Sequence, residues 1–201
     1  MNEQEAFWKG SFGDDYVDRV NGDEFIASKI NFFSQALRAA FNVNTVIDLG
    51  ANRGLNANAL KALLPTLNYT GVEIGDKAFA QLESNQAVDN SVHSSIHKLS
   101  VDKTFDIALI TGVLIHLNPN TLPEVYKLLH ALSSNYVLIS EYYNPVPVEI
   151  DYRGNKGKLF KRDFCQEFIS STGAKLIDYG FLYHADTKYK HADMTWFLLQ
   201  K

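Results

Sequence analysis

A chain of 201 residues that is 46% hydrophobic and 12% aromatic can bury one sizeable core and is most simply a single domain. Its formal charge of −4 withholds any general attraction for nucleic acid or an anionic membrane, and its one cysteine, Cys165, excludes an internal disulfide and fits a reducing compartment. The opening "MNEQEAFWKG" lacks the basic and apolar segments of a secretory leader, and no run approaches the roughly 18 apolar residues of a membrane span, so a cytoplasmic protein is expected.

Taken in chain order, "DEFIASKINFFSQALRAAF" places Ile26, Ile30, Phe33, Leu37 and Phe41 on one face of a helix, with Asp23 at its start. "TVIDL" reads as a strand, and the helix after it, with Leu55, Ala59, Leu60, Leu63 and Leu64 inward, is stopped by Pro65. "YTGVEI" is a second strand, followed by the helical "DKAFAQLESNQA" and by a weak third strand between Val92 and Ile96. "FDIALIT" is a clear strand. The helix "TLPEVYKLLHALS" then carries capping-box spacing at Thr121 and Glu124 and a stripe of Leu122, Val125, Tyr126, Leu129 and Leu132. "YVLISEY" is a strand, "FKRDFCQEFISSTG" a helix ended by Gly173, and "AKLIDYGFLYH" and "MTWFLLQK" are two closing strands.

Strands alternating with helices predict an α/β fold with a mostly parallel sheet covered on both faces. The connection 184–193 is too short for a helical crossover, so the last strand should be antiparallel. One domain over 1–201 is expected, with residues 1–42 as a helical cap on a core of 43–201. In such sheets ligands bind at the carboxyl ends of the strands.

The turn in "TVIDLGANRGLNANAL" sits at such an end. Gly50 and Gly54 permit positive φ and close approach of a ligand, and Glu73, 19 residues beyond Gly54, can accept hydrogen bonds from ribose hydroxyls. A dinucleotide turn needs glycines in the G-x-G-x-x-G register, which falls here on Asn52 and Leu55. The register D-x-G-x-G-x-G takes Asp48, Gly50 and Gly54, with Asn52, tolerant of left-handed backbone, in the middle place.

This pattern resembles the first motif of the S-adenosylmethionine-dependent methyltransferases. The resemblance implies a Rossmann-like doubly wound sheet, S-adenosylmethionine as cofactor and S-adenosylhomocysteine as product. It implies cofactor contacts from Asp48, Gly50, Ala51, Asn52 and Gly54, from Glu73 and Ile74 at the ribose, and from Thr111, Gly112 and Val113 in "TFDIALITGVLIHLNP". Ser95 occupies the place facing the adenine, where aspartate or asparagine is more usual. Four segments, "EAFWKGSFGDDYVDR", "GVLIHLNP", "EYYNP" and "YRGNKGKLFKRDF", are similar to a narrower group of methyltransferases associated with pseudaminic acid biosynthesis.

Methyl transfer needs in-line approach, excluded water and, for a hydroxyl acceptor, a base. Candidates at the ends of the fourth and fifth strands are His116, Glu141, Tyr142, Tyr143 and Asn144, with His116, Tyr142 and Asn144 the catalytic choices. His116 reads equally well as a structural histidine. Tyr142 and Tyr143 alternate across the strand, so at most one faces the site. Five cations lie between Arg153 and Arg162; Lys156 and Lys158 read as a solvated face, whereas Arg153 and Arg162 suit a carboxylate or phosphate. With Tyr16, Tyr143, His184 and Asp193 they make the expected acceptor site, for an acidic or nucleotide-activated sugar. The N-terminal Trp8, Phe12 and Tyr16 are either packing or a lid, and a lid would let Arg19 reach the methionine carboxylate.

No metal is expected: "HSSIH" lacks the glutamate of H-E-x-x-H, and His184, Asp186, His191 and Asp193 read as structural or solvated. The rival readings are an NAD-dependent oxidoreductase and a non-catalytic nucleotide-binding module. Nucleic acid is disfavoured as a substrate by the acidic charge and by Thr111 and Gly112, which stand where base-amino methyltransferases carry a D/N-P-P-aromatic motif.

Overall fold

The structure, a computed structural model, describes residues 1–19 and 23–201. Three helices open the chain: α1 (Glu3–Lys9), α2 (Ser11–Arg19) and α3 (Asp23–Ala36). The alternating core follows, with β1 (Thr45–Leu49), α4 (Leu55–Leu63), β2 (Asn68–Glu73), α5 (Asp76–Glu83), β3 (Asn90–His93), β4 (Phe105–Thr111), α6 (Leu122–Leu132) and β5 (Ser133–Glu141). A small hairpin of β6 (Val148–Glu149) and β7 (Phe160–Lys161) precedes α7 (Phe164–Thr172), β8 (Lys175–Leu182) and β9 (Met194–Gln200). The seven-stranded sheet runs β3-β2-β1-β4-β5-β9-β8, and β9 pairs antiparallel with both β5 and β8. The antiparallel last strand thus lies inside the sheet, and β8 forms the edge.

The period of two along each strand sorts the two cores. Ile47, Leu49 and Ile110 face α6 and α7 with Leu129 and Phe168, whereas Val46, Ile107 and Leu109 face α3 and α4 with Phe33 and Leu60. Asp48 has the parity of Val46 and therefore points among α3 and α4. Burying Phe32, Phe33 and Ala36 makes α3 a supporting layer of the sheet, while α1 and α2 lie over the strand ends.

Several expectations need correction. The first long helix stops at Ala36, a turn follows with Asn42 at φ 57°, and Phe41 is 70% exposed rather than on a buried stripe. The capping expected of the Asp23 side chain lies outside the described residues. Thr121 closes a 3-10 turn (Pro119–Thr121) in helical backbone and donates to the Asn118 carbonyl at 2.8 Å, so it does not cap α6. A capping box does occur at Asn2 and Glu5, opening α1. The weak third strand is displaced to Asn90–His93, and "FKRDF" contributes β7 before the helix begins at Phe164.

Candidate active site

Three left-handed residues build the turn after β1: Gly50 at φ 80°, Asn52 at 49° and Gly54 at 85°. The N–H groups of Gly50 and Ala51 both donate to the Val72 carbonyl at 2.9 Å, tying the turn to β2. A Cβ on Gly50 would come within 2.5 Å of a Val113 methyl, so only glycine admits the close approach between this turn and the loop after β4.

Glu73 holds the turn from beside it. One carboxylate oxygen accepts from the Asn52 N–H at 2.8 Å, and the other from the N–H groups of Ile74 at 2.8 Å and Gly75 at 2.7 Å. Burial raises the Glu73 carboxyl above its ordinary value, and these three donors oppose that shift.

Asp48 is fully buried behind the turn, where it accepts from the Asn56 amide at 2.8 Å and from the Tyr69 hydroxyl. Asn56 also accepts from the Lys29 ammonium at 2.7 Å. The acid of the motif thus acts on α3, α4 and β2.

The turn, Glu73 and the loop after β4 open onto one cavity under α1 and α2. Its walls include Gly50, Ala51, Asn52, Glu73, Ile74, Ser95, Thr111, Gly112, Val113 and His116, so most residues expected to hold a cofactor line a common space. Tyr16 and Trp8 line it from the covering helices, and burial pushes the Tyr16 phenol up to about 12. Gly54 and Asp48 stand behind the wall. Arg19 is exposed, over the rings of Phe12 and Tyr16 at 5.4 and 5.6 Å, and does not line the cavity. Lys29 does, and with Arg53 it brings positive charge there. Sequence patterning hid Lys29, which sits in an amphipathic helix as an ordinary polar position.

His116 is 7% exposed, packed against Trp8 and Tyr152 with ring centroids at 4.6 and 4.9 Å. Its Nδ1 lies 2.6 Å from the Lys158 carbonyl, which can only accept, so Nδ1 carries the proton and Nε2 keeps its lone pair. Burial lowers its pKa to about 4, against a partial rise from that carbonyl. Glu141 is buried beneath the same loop, one oxygen accepting from the N–H groups of Val113 and Leu114 at 2.9 Å each. Burial pushes its carboxyl up to about 8.

The remaining expected residues lie outside this cavity. Tyr142 is half-buried with the Lys161 ammonium over its ring, Tyr143 is exposed, and the Asn144 amide donates to the Val146 carbonyl. Arg162 is occupied by Glu167 at 2.7 Å, and His184 by Asp193 at 2.8 Å. Arg153 is exposed, in left-handed backbone at φ 49°, in the loop between β6 and β7. Lys158 is 7% exposed, its ammonium paired with Glu3 and over the Phe7 ring, so it fastens α1 and is no solvated face. Among the described residues no group of three or more His, Cys, Asp or Glu gathers as a metal site, and no helix is long and apolar enough to cross a membrane.

Residues 47–133 match the family described as a methyltransferase domain. The match spans 87 of the 201 residues, from within β1 to the first residue of β5, and contains the glycine turn, Glu73 and the loop after β4. The match favours methyl transfer over the NAD-dependent alternative. The fold is shared with solved structures of low sequence identity. A Burkholderia thailandensis 1,6-didemethyltoxoflavin-N1-methyltransferase with bound 1,6-didemethyltoxoflavin and S-adenosylhomocysteine is 15% identical at a TM-score of 0.71, over 98% of this chain and 86% of that one. Magnesium protoporphyrin IX methyltransferase from Synechocystis PCC 6803, with bound S-adenosylmethionine, is 12% identical at 0.70, over 100% and 98%. A Leishmania major S-adenosylmethionine-dependent methyltransferase is 15% identical at 0.72, over 100% and 87%. No curated protein matches the chain in sequence.

Proposed function

We propose that the protein methylates a small molecule, an acidic or nucleotide-activated sugar of the pseudaminic acid pathway, as one domain in which α1 and α2 cover the site and α3 supports the sheet. The observation that carries methyl transfer is the single cavity joining the Gly50–Asn52–Gly54 turn, Glu73 and a neutral His116. Its lining suits a zwitterionic nucleoside: Glu73 to accept from ribose hydroxyls, the Lys29 ammonium to donate to a carboxylate, and a turn at Gly50 with no Cβ in the way.

S-adenosylmethionine supplies a methyl on a sulfonium sulfur, which becomes a neutral thioether when the acceptor takes the methyl. The acceptor's O–H or N–H proton passes to Nε2 of His116, whose lone pair is free because Nδ1–H is committed to Lys158. Trp8 and Tyr16 cover the cavity and exclude water from the transfer. Support for an acidic sugar comes from the four similar sequence segments and from Arg153, which has no ion-pair partner among the described residues and follows β5 at the ligand edge. Tyr143, Arg162, His184 and Asp193 would flank the same approach once their internal pairs exchange for the ligand.

The test is calorimetry with S-adenosylhomocysteine, followed by methyl release from labelled cofactor across acidic sugars, nucleotide-activated sugars and neutral counterparts. Turnover confined to the acidic members is expected. Equal turnover of neutral sugars would remove the anionic acceptor, and no affinity for S-adenosylhomocysteine would remove the cofactor.

A further inference from the structure

The sheet order fixes where each part of a nucleoside would fall. β1, β2 and β3 are neighbours, with the glycine turn at the end of β1 and Glu73 at the end of β2. A ribose on Glu73 whose tail lies at the turn must send its base onward, past the end of β3. That ground is Ser94 to His97. The Ser94 N–H donates to the Glu73 carbonyl at 3.0 Å, and Ser95, Ile96 and His97 line the cavity.

Ser95 cannot be the reader of the base edge. Its hydroxyl proton goes to Glu5, and its oxygen accepts from the His97 N–H at 3.1 Å. The acceptor at this place comes instead from α1: Glu5 lines the cavity, is 9% exposed, and gives one carboxylate oxygen to Ser95 and the other to the Asn2 N–H at 2.7 Å. A carboxylate offers about four acceptor positions, so two remain after these bonds. Beside it, Nε2 of His97 is buried with no partner among the described residues. A carboxylate acceptor next to an unpartnered imidazole nitrogen matches the edge of a 6-aminopurine, where an amino donor adjoins ring nitrogens that accept.

We propose that Glu5 reads the 6-amino group of the cofactor's adenine, with His97 against the ring nitrogens, so that the N-terminal helix completes the nucleoside pocket. The assignment rests on the reading of S-adenosylmethionine as cofactor. It gives α1 a role in cofactor selection as well as in covering the acceptor. Because Glu5 is also the N3 residue of the capping box, its carboxylate is held in place before any nucleoside arrives.

The probes are S-adenosylhomocysteine and its 6-deamino purine analogue, titrated by calorimetry into the protein and into Glu5→Ala, Glu5→Gln and Glu5→Asp. A hydrogen bond to a carboxylate predicts that the wild type prefers the amino compound about tenfold or more. Glu5→Ala should bring the two affinities together, Glu5→Gln, which keeps a neutral acceptor oxygen, should narrow the gap, and Glu5→Asp, one methylene shorter, should reduce the preference while keeping the charge. A wild-type ratio near one overturns the proposal whether or not the variants fold. So does a preference that survives undiminished in Glu5→Ala, or an equal loss of both ligands, which would assign Glu5 to anchoring α1 alone. Failure of the wild type to bind either compound would instead bring down the cofactor reading itself.

Discussion

Replacing Glu73 with alanine should register twice, once in stability and once in affinity. The carboxylate accepts three backbone N–H groups at 2.7 to 2.8 Å, and one of them belongs to Asn52, a left-handed residue with no glycine's freedom. With the side chain gone, those N–H groups face a cavity that water can enter, so each lost bond costs about 0.5–1.5 kcal/mol net, or roughly 1.5–4.5 kcal/mol together. In a chain of this size each kcal/mol moves the midpoint by about 2–4 °C, which puts the variant roughly 3 to 18 °C below the wild type by calorimetric scanning. Losing a charged acceptor for the ribose adds about 1.5–3 kcal/mol, a fall in S-adenosylhomocysteine affinity of roughly ten- to 150-fold, read by titration below the new midpoint. An unchanged midpoint would show that the three bonds do not hold the turn. Unchanged affinity in a folded variant would take Glu73 out of the site.

Three further outcomes are expected. Glu141 has a folded value of about 8 against an ordinary 4.5, so the folded protein keeps a proton that the unfolded chain releases, and stability should fall as pH rises from 4.5 to 8. Glu141→Gln, which retains an oxygen for Val113 and Leu114, should flatten that decline in pH-dependent denaturant melts; an unaltered slope would assign it to other groups. His116 is depressed from 6.5 to about 4, so it should destabilise the fold as pH falls through that window, an effect absent from His116→Gln, which should also lose about 10²- to 10⁴-fold in turnover with S-adenosylhomocysteine affinity intact. Arg153→Ala should raise KM for an acidic sugar, whereas Arg162→Ala should chiefly lose its pair with Glu167, about 1 kcal/mol or less in chemical melts.

What the sequence discloses follows the range of the interactions involved. The alternating strands and helices, the left-handed turn at Gly50, Asn52 and Gly54, and Glu73 at the end of β2 are local patterns, and all are visible before any coordinate. The misplaced features depend on contacts between distant segments. Lys158 resembles its solvated neighbour Lys156 until α1 folds across it and supplies Glu3 and Phe7. Lys29 joins the cavity only because α3 lies against α4, where Asn56 accepts from it. Thr121 and Glu124 have the spacing of a capping box, but the 3-10 turn from Pro119 already places Thr121 in helical backbone, and a cap needs an extended residue there. Arg162 and His184 are natural anion ligands by residue type, and only the folded chain shows each already facing its own carboxylate.

The position of β9 between β5 and β8 has a consequence in time. β5 and β8 are not neighbours, so β8 has no partner in the sheet until β9 has docked between them. Until β9 docks, the folding chain carries an open strand bearing Tyr179 and Phe181, both largely solvent-exposed even in the finished fold. Any change that slows the docking of β9 would therefore leave β8 open to pairing with another chain.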